Sequence, residues 1–87
     1  MLKISEVSLS DEEATLELEG RIAGPWVEEV RRVCEELLSR GRRLTLNLEK
    51  VSFIDREAIA LLQRLRRNEI RIANCSPFIT EQLKEDQ

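Results

Sequence analysis

The chain has 87 residues, of which 41% are hydrophobic and 36% charged, with a formal net charge of −3. This composition is typical of one small globular domain and excludes a disordered chain. It has no run of about 18 apolar residues, as a membrane-spanning helix would need. The first residues also lack the apolar stretch and cleavage site of a signal peptide. We therefore expect a single cytoplasmic domain over residues 1–87.

The residue types that are missing restrict the chemistry. The chain contains no His, the side chain best suited to acid–base work at neutral pH, so Ser-His and Cys-His nucleophilic pairs are excluded. Cys34 and Cys75 lie far apart in sequence, and a structural zinc site needs four clustered ligands. We expect two reduced, mostly buried thiols, with no metal and no cofactor. The composition favours a binding module over an enzyme.

The first half of the chain predicts two strands and a helix. Leu2, Ile4 and Val7 indicate an imperfect strand, and residues 14–19 alternate as a half-buried strand does, with Gly20 expected to end it. Pro25 then suits the first turn of a helix. Apolar residues recur at spacings of three and four from Trp26 to Leu38. Trp26 is expected in the core, the alternative being a partly exposed anchor for a partner.

The second half predicts two more strands, each followed by a helix. Residues 44–48 alternate as a strand that runs into a loop at residues 51–57, with Phe53 expected in the core. Asp55 is a suitable N-cap for the next helix. Residues 70–73 form a short strand, and Pro77 begins a final short helix. The order is β-β-α-β-α-β-α, an α/β fold with a small mixed sheet covered by helices and an antiparallel first strand.

Charge is segregated along the chain. Residues 1–39 carry four cations and ten anions, whereas residues 40–75 carry nine cations and four anions. We favour a solvated helix face paired with Glu-rich neighbours. The alternatives are a docking patch for an acidic protein and a phosphate-binding surface for a nucleotide or nucleic acid. The basic residues of the middle segment are Arg40, Arg42, Arg43, Lys50, Arg56, Arg64, Arg66, Arg67 and Arg71.

The segment at residues 51–57 is the strongest candidate for a site. It follows the carboxyl end of a parallel strand, where α/β folds place their sites. Its two acids, Asp55 and Glu57, also suit the start of a helix, and this capping role is favoured over chemistry. No Gly-rich loop precedes the helix, so a phosphate cradle is not supported.

Four stretches in this order resemble a STAS domain, the family of bacterial anti-sigma-factor antagonists and sulfate-transporter tails. They are LEGRI at residues 18–22, LTLNLEKVSFID at 44–55, AIALL at 58–62 and IRIANCSPFI at 70–79. The resemblance covers nearly the whole chain. Members usually continue into a further strand and helix, so the resemblance implies a fold truncated after the third helix, with an exposed sheet edge near residues 70–73. The sequence does not decide between an exposed edge and a homodimer that covers it.

The resemblance implies a partner-switching role. In the antagonist branch, a serine two residues after the aspartate is phosphorylated by a serine kinase that is itself the anti-sigma factor. Glu57 stands at that position here, after Arg56, and alanines replace the two family glycines. We therefore predict a non-enzymatic interaction module without the usual phospho-switch. The predicted partner-binding residues are Ser52, Asp55, Arg56, Glu57, Ala58 and Trp26.

Two other functions are kept as alternatives. One is a subunit of a membrane transport complex that binds an ABC-type transporter ATPase through the same surface. The other is nucleotide or nucleic-acid binding through the arginine-rich middle, which is the less favoured because aromatic residues are not interleaved with the arginines.

Overall fold

The computed structural model describes residues 1–84 and has the predicted order of elements. Among these residues, no helix is long and apolar enough to cross a membrane. The elements are β1 (Leu2–Leu9), β2 (Glu13–Ile22), α1 (Pro25–Ser39), β3 (Arg43–Ile54), α2 (Arg56–Arg67), β4 (Arg71–Ala73) and α3 (Pro77–Leu83).

The strands form one mixed sheet in the order β1-β2-β3-β4. β1 is antiparallel to β2, whereas β2, β3 and β4 are parallel, as predicted. The two crossovers through α1 and α2 step in the same direction across the sheet. Because such crossovers are right-handed, both helices lie on the same face. The fold therefore has two layers, with helices on one face of the sheet and the other face open.

Burial along the strands agrees with this two-layer arrangement. In β2, Leu16 and Leu18 are buried against the helices, while the alternating Glu17 and Glu19 lie on the open face. The buried side chains of all three helices join those of the strands in one core. Among the described residues that core is aliphatic apart from Cys34, and it contains no buried polar side chain. Burial raises the pKa of the Cys34 thiol to about 12.

Irregular pairing explains two departures from the predicted strands. The register between β1 and β2 shifts around Val7, which is exposed, so the alternation that begins with Leu2 and Ile4 is broken there. The prediction that Gly20 ends its strand is wrong. Gly20 lies inside β2 with φ +108°, and a Cβ built on it would stand 2.6 Å from the backbone oxygen of Met1. Glycine is needed there because the first residue of the chain crosses so close to β2.

The expected loop at residues 51–57 is also shorter than predicted. β3 continues to Ile54, and α2 begins at Arg56. The extra strand length pairs with β2, where Ile22 lies opposite Ile54. The connection is therefore the single residue Asp55, and the side chains around it are held by regular structure rather than by a loop.

The last helix is held by α2. The side chains of Gln63 and Arg66 donate hydrogen bonds to the carbonyl oxygen of Leu83, at 3.3 and 2.6 Å. These bonds satisfy a carbonyl at the end of α3 that has no partner within its own helix. In the described sheet β4 is an edge strand, as predicted, and it pairs with β3 only over residues 45–47.

Candidate functional site

Asp55 links the starts of two helices. One of its carboxylate oxygens accepts a hydrogen bond from the backbone N–H of Ala58 at 2.8 Å, which caps α2 as predicted. The other accepts from the backbone N–H of Gly24 at 2.9 Å, and Gly24 is the residue that precedes α1. The backbone N–H of Asp55 donates in turn to the carbonyl of Ile22 at 3.2 Å. The residue therefore fixes the geometry of both helix starts at the carboxyl end of β2 and β3.

These bonds also set the ionisation of the side chain. The N–H groups of Gly24 and then of Ala58 lower the pKa of Asp55 below its ordinary value, because they stabilise the carboxylate. A carboxylate with both oxygens engaged and a lowered pKa is a poor proton acceptor. The structural role predicted for Asp55 is therefore the role that its contacts support.

The first turn of α2 divides into an exposed pair and a buried residue. Arg56 and Glu57 are both exposed. Ala58 is fully buried, with its side chain in the core, and its backbone N–H donates a hydrogen bond to the carboxylate of Asp55. Of these three, Arg56 and Glu57 present side chains that another molecule could contact, and Ala58 does not.

Ser52 lies on β3 opposite the irregular part of β2. The pairing steps from Gly20 with Val51 to Arg21 with Phe53, so Ser52 is the extra residue of a bulge. It is exposed, and its hydroxyl donates a hydrogen bond to the carbonyl oxygen of Gly20 at 3.2 Å. Its oxygen stays accessible while its proton is bonded to the neighbouring strand.

Two expectations for aromatic residues are wrong. Trp26 was expected in the core, but it stands in the first turn of α1 with 38% of its surface exposed. Phe53 was expected in the core and is 37% exposed. The bulges in β3 rotate Phe53 onto the open face of the sheet, where the guanidinium of Arg21 lies 4.4 Å from the centre of its ring. Sequence alternation could not locate Phe53, because it does not reveal bulges.

A groove of about 360 Å³ runs between α1 and α2. Its lining includes the apolar or small side chains of Val27, Ala60 and Leu61 and the carboxylate of Glu57. The other lining residues are cationic: Arg31, Arg64 and Arg67. Arg31 is paired with Glu28 and Glu35 on its own helix. Arg64 forms no ion pair with another described residue.

Three other arginines of the middle segment, Arg40, Arg43 and Arg56, lie towards opposite ends of β3. Arg43, at the amino end of β3, pairs with Glu13 at 3.2 Å, and Arg40 pairs with Glu36 at 3.0 Å. Arg56 stands beyond the other end of the same strand. Because β3 separates these groups along its whole length, they do not present one continuous basic stripe to a nucleic acid.

The cysteines are free, with Cys34 buried and Cys75 half-buried. Burial raises the pKa of the Cys75 thiol, although Arg66 counteracts part of this effect. No group of three or more His, Cys, Asp or Glu within residues 1–84 is arranged to hold a metal ion.

Comparison with known proteins identifies the fold. A scan against models of protein families finds no match, and a search of curated proteins finds none either. Among solved structures, the chain matches the anti-sigma factor antagonist SpoIIAA in its unphosphorylated form. The TM-score is 0.72 at 22% sequence identity, over 91% of this chain and 79% of that chain. The resemblance predicted from the sequence is thus confirmed at the level of the fold, a SpoIIAA-like α/β fold with four strands and three helices.

Proposed function

We propose that this chain is a non-enzymatic protein–protein interaction module that acts as an anti-sigma-factor antagonist does, on a serine-kinase-like anti-sigma factor. The SpoIIAA-like fold supports this proposal. So does the position of Glu57, an exposed carboxylate at the start of α2 and on the wall of the groove between α1 and α2. By the resemblance, this is the position of the phosphorylated serine.

A glutamate at this position makes the module constitutive in our proposal. It cannot accept a phosphate, and it carries about −1 charge where phosphoserine carries about −1.5 to −2 with more acceptor oxygens. The positive end of α2 stabilises either charge. Asp55 holds the helix start in place through Gly24 and Ala58. The proposed contact surface is therefore pre-formed and is not switched at residue 57.

The test is affinity capture from the lysate of the source organism, with wild type and Glu57→Ser as parallel baits. Captured proteins are identified by mass spectrometry, and ATP is added before the baits are analysed. We expect a serine-kinase-like ATPase on both baits and phosphate on residue 57 of the Glu57→Ser bait. Glu6→Ser is the matched control, because it makes the same charge change at an exposed position on the edge strand β1.

The outcomes separate the alternatives. Capture of a transporter ATPase instead of a kinase would favour a subunit of a membrane transport complex. If the protein is retained on nucleic acid at low salt and this binding falls steeply as salt is added, nucleic-acid binding through the arginine-rich middle would be favoured. If no kinase is retained by either bait, the proposed function is wrong.

A further inference from the structure

Every aromatic residue of this protein lies at its surface. The chain contains one Trp, two Phe and no Tyr. Trp26 is 38% exposed, Phe53 is 37% exposed and Phe78 is 65% exposed. Aromatic side chains ordinarily supply the largest buried areas of a fold, and they are enriched among the residues that dominate binding energy at interfaces. A core built without any of them, in a domain this small, leaves the aromatic rings available to another molecule.

Trp26 and Phe53 flank the same structural link. Arg21 and Phe53 are partners across β2 and β3, and the N–H of Gly24 is bonded to the carboxylate of Asp55. Phe53 precedes Asp55 by two residues, and Trp26 follows Gly24 by two. Each of these two residues therefore lies two positions along the chain from a partner of the Asp55–Gly24 hydrogen bond.

Phe78 does not share this location. It stands in the first turn of α3, which follows β4. β4 pairs with β3 only over residues 45–47, whereas β3 continues to Ile54. In the sheet β4 lies on the other side of β3 from β2, whereas the Asp55–Gly24 bond joins the segments that follow β3 and β2. Phe78 is thus an exposed aromatic residue on a different element and serves as their control.

We infer that Trp26 and Phe53 are the aromatic anchors of the protein-binding surface. The partner protein then covers more than the groove between the helices, because it wraps over the carboxyl ends of β2 and β3 onto the open face of the sheet. This inference rests on the proposed function in taking the occupant to be a protein.

The charges near the two rings indicate the chemistry of that partner. Arg21 lies over Phe53. Arg56 begins α2 and forms no ion pair with another described residue, and neither does Arg64 in the adjoining groove. Of the neighbouring acids, Asp55 has both carboxylate oxygens engaged by backbone N–H groups, whereas Glu57 is exposed in the groove. Glu28 and Glu29, which follow Trp26, are paired with arginines of their own helix. A complementary partner segment carries carboxylates opposite the arginines and an aliphatic side chain against the rings.

The test uses a random-peptide phage library selected on the folded wild-type protein. The most enriched peptides are synthesised and titrated calorimetrically against wild type, Trp26→Ala, Phe53→Ala, Arg56→Glu and Phe78→Ala. We expect peptides with an excess of Asp and Glu beside aliphatic residues. We expect the affinity to fall about thirtyfold in each of the first two variants, the size typical of an aromatic hot spot. Arg56→Glu should weaken binding at low salt, and Phe78→Ala should bind as wild type does.

A second pair of variants protects the test against unfolding. If Trp26→Ala or Phe53→Ala loses its circular dichroism spectrum, Trp26→Leu and Phe53→Leu are titrated instead, because they keep most of the apolar volume. The inference is overturned if the library yields no acidic peptides, or if peptide affinity is unchanged in the Trp26 and Phe53 variants. It is also overturned if a captured kinase binds those variants as tightly as wild type, which would leave the proposed function standing. Acidic peptides that depend on both rings, together with no captured kinase, would support the anchors and remove the kinase as the partner.

Discussion

The carboxylate of Asp55 and the backbone N–H of Gly24 lie 2.9 Å apart, across 31 residues of sequence. This contact joins the residue that caps α2 to the residue that precedes α1. It also explains why an aspartate at this position serves structure, because both of its oxygens are used by backbone N–H groups. The proposed binding surface depends on this contact for the relative position of its two helices.

Two substitutions of Asp55 should therefore separate the contributions of its two hydrogen bonds to the stability of the domain. Asp55→Ala removes the cap of α2 and the bond to Gly24, and we expect a loss of about 2 kcal/mol in the free energy of unfolding. Asp55→Asn keeps an oxygen for the N–H of Ala58 but offers an amide N–H₂ to Gly24, so about half of that loss is expected. Urea unfolding followed by circular dichroism measures both. Equal stability of wild type and Asp55→Ala would contradict the linking role.

The same residue predicts a dependence of stability on pH. Because the pKa of Asp55 is lowered in the folded protein, its carboxylate stabilises the fold at every pH above the ordinary pKa of about 3.9. This contribution is lost as the pH falls below that value and through the folded-state pKa. The stability difference between wild type and Asp55→Asn should be constant from pH 7 to about 5 and shrink towards pH 3. A difference that stays constant to pH 3 would show that the charge of Asp55 has no effect.

Gly20 should tolerate substitution less well than Gly41. Both have positive φ, +108° and +77°, but a Cβ on Gly20 would meet the oxygen of Met1 at 2.6 Å, whereas nothing lies within 4 Å of one on Gly41. We expect Gly41→Ala to cost about 1 kcal/mol of backbone strain and Gly20→Ala at least about 2 kcal/mol more. Urea midpoints of the two variants test this directly. If both substitutions cost the same, the close approach of Met1 has no energetic consequence.

The two thiols should react at very different rates. Burial raises the pKa of Cys34 to about 12 and removes its sulfur from solvent, whereas Cys75 is only half-buried. With Ellman's reagent at neutral pH, one thiol per chain should react in the native protein and two in urea. In the Cys75→Ser variant, no thiol should react in the native protein and one thiol per chain should react in urea. Rapid labelling of native Cys75→Ser would show that Cys34 is accessible.

Charge reversal at the start of α2 should change binding more than folding. Arg56 and Glu57 are exposed, so their contacts with the rest of the fold are few. We expect Arg56→Glu and Glu57→Lys each to change the free energy of unfolding by less than about 1 kcal/mol, the latter through the helix dipole. Both should weaken binding of the captured partner, measured calorimetrically. Normal binding by both variants would exclude this turn from the interface.

The order of elements could be predicted because it depends on local patterns. The spacing of apolar residues in α1 and α2, Pro25 and Pro77 at helix starts, and Asp55 as a cap are all set within a few residues of sequence. The mixed sheet then follows from the connections.

What could not be predicted depends on pairing between distant segments. In β3, Leu44, Leu46 and Leu48 keep strict alternation, but the next buried residues are Val51 and Ile54. The shifts of register against β2 cause this change of phase, and they place Phe53 on the open face. The bond from Gly24 to Asp55 is equally invisible in the sequence, because a backbone N–H has no signature there.

Because Trp26 is partly exposed, the tryptophan fluorescence of this protein should be sensitive to partner binding. Since the only indole stands at the start of α1 and not in the aliphatic core, its surroundings contain solvent in the folded and the unfolded chain alike. Unfolding should therefore shift the emission wavelength less than it would for an indole in the core, whereas a partner that covers the ring should shift it to the blue. Trp26 is thus an intrinsic fluorescence probe of partner binding, because it lies at the surface and not in the core.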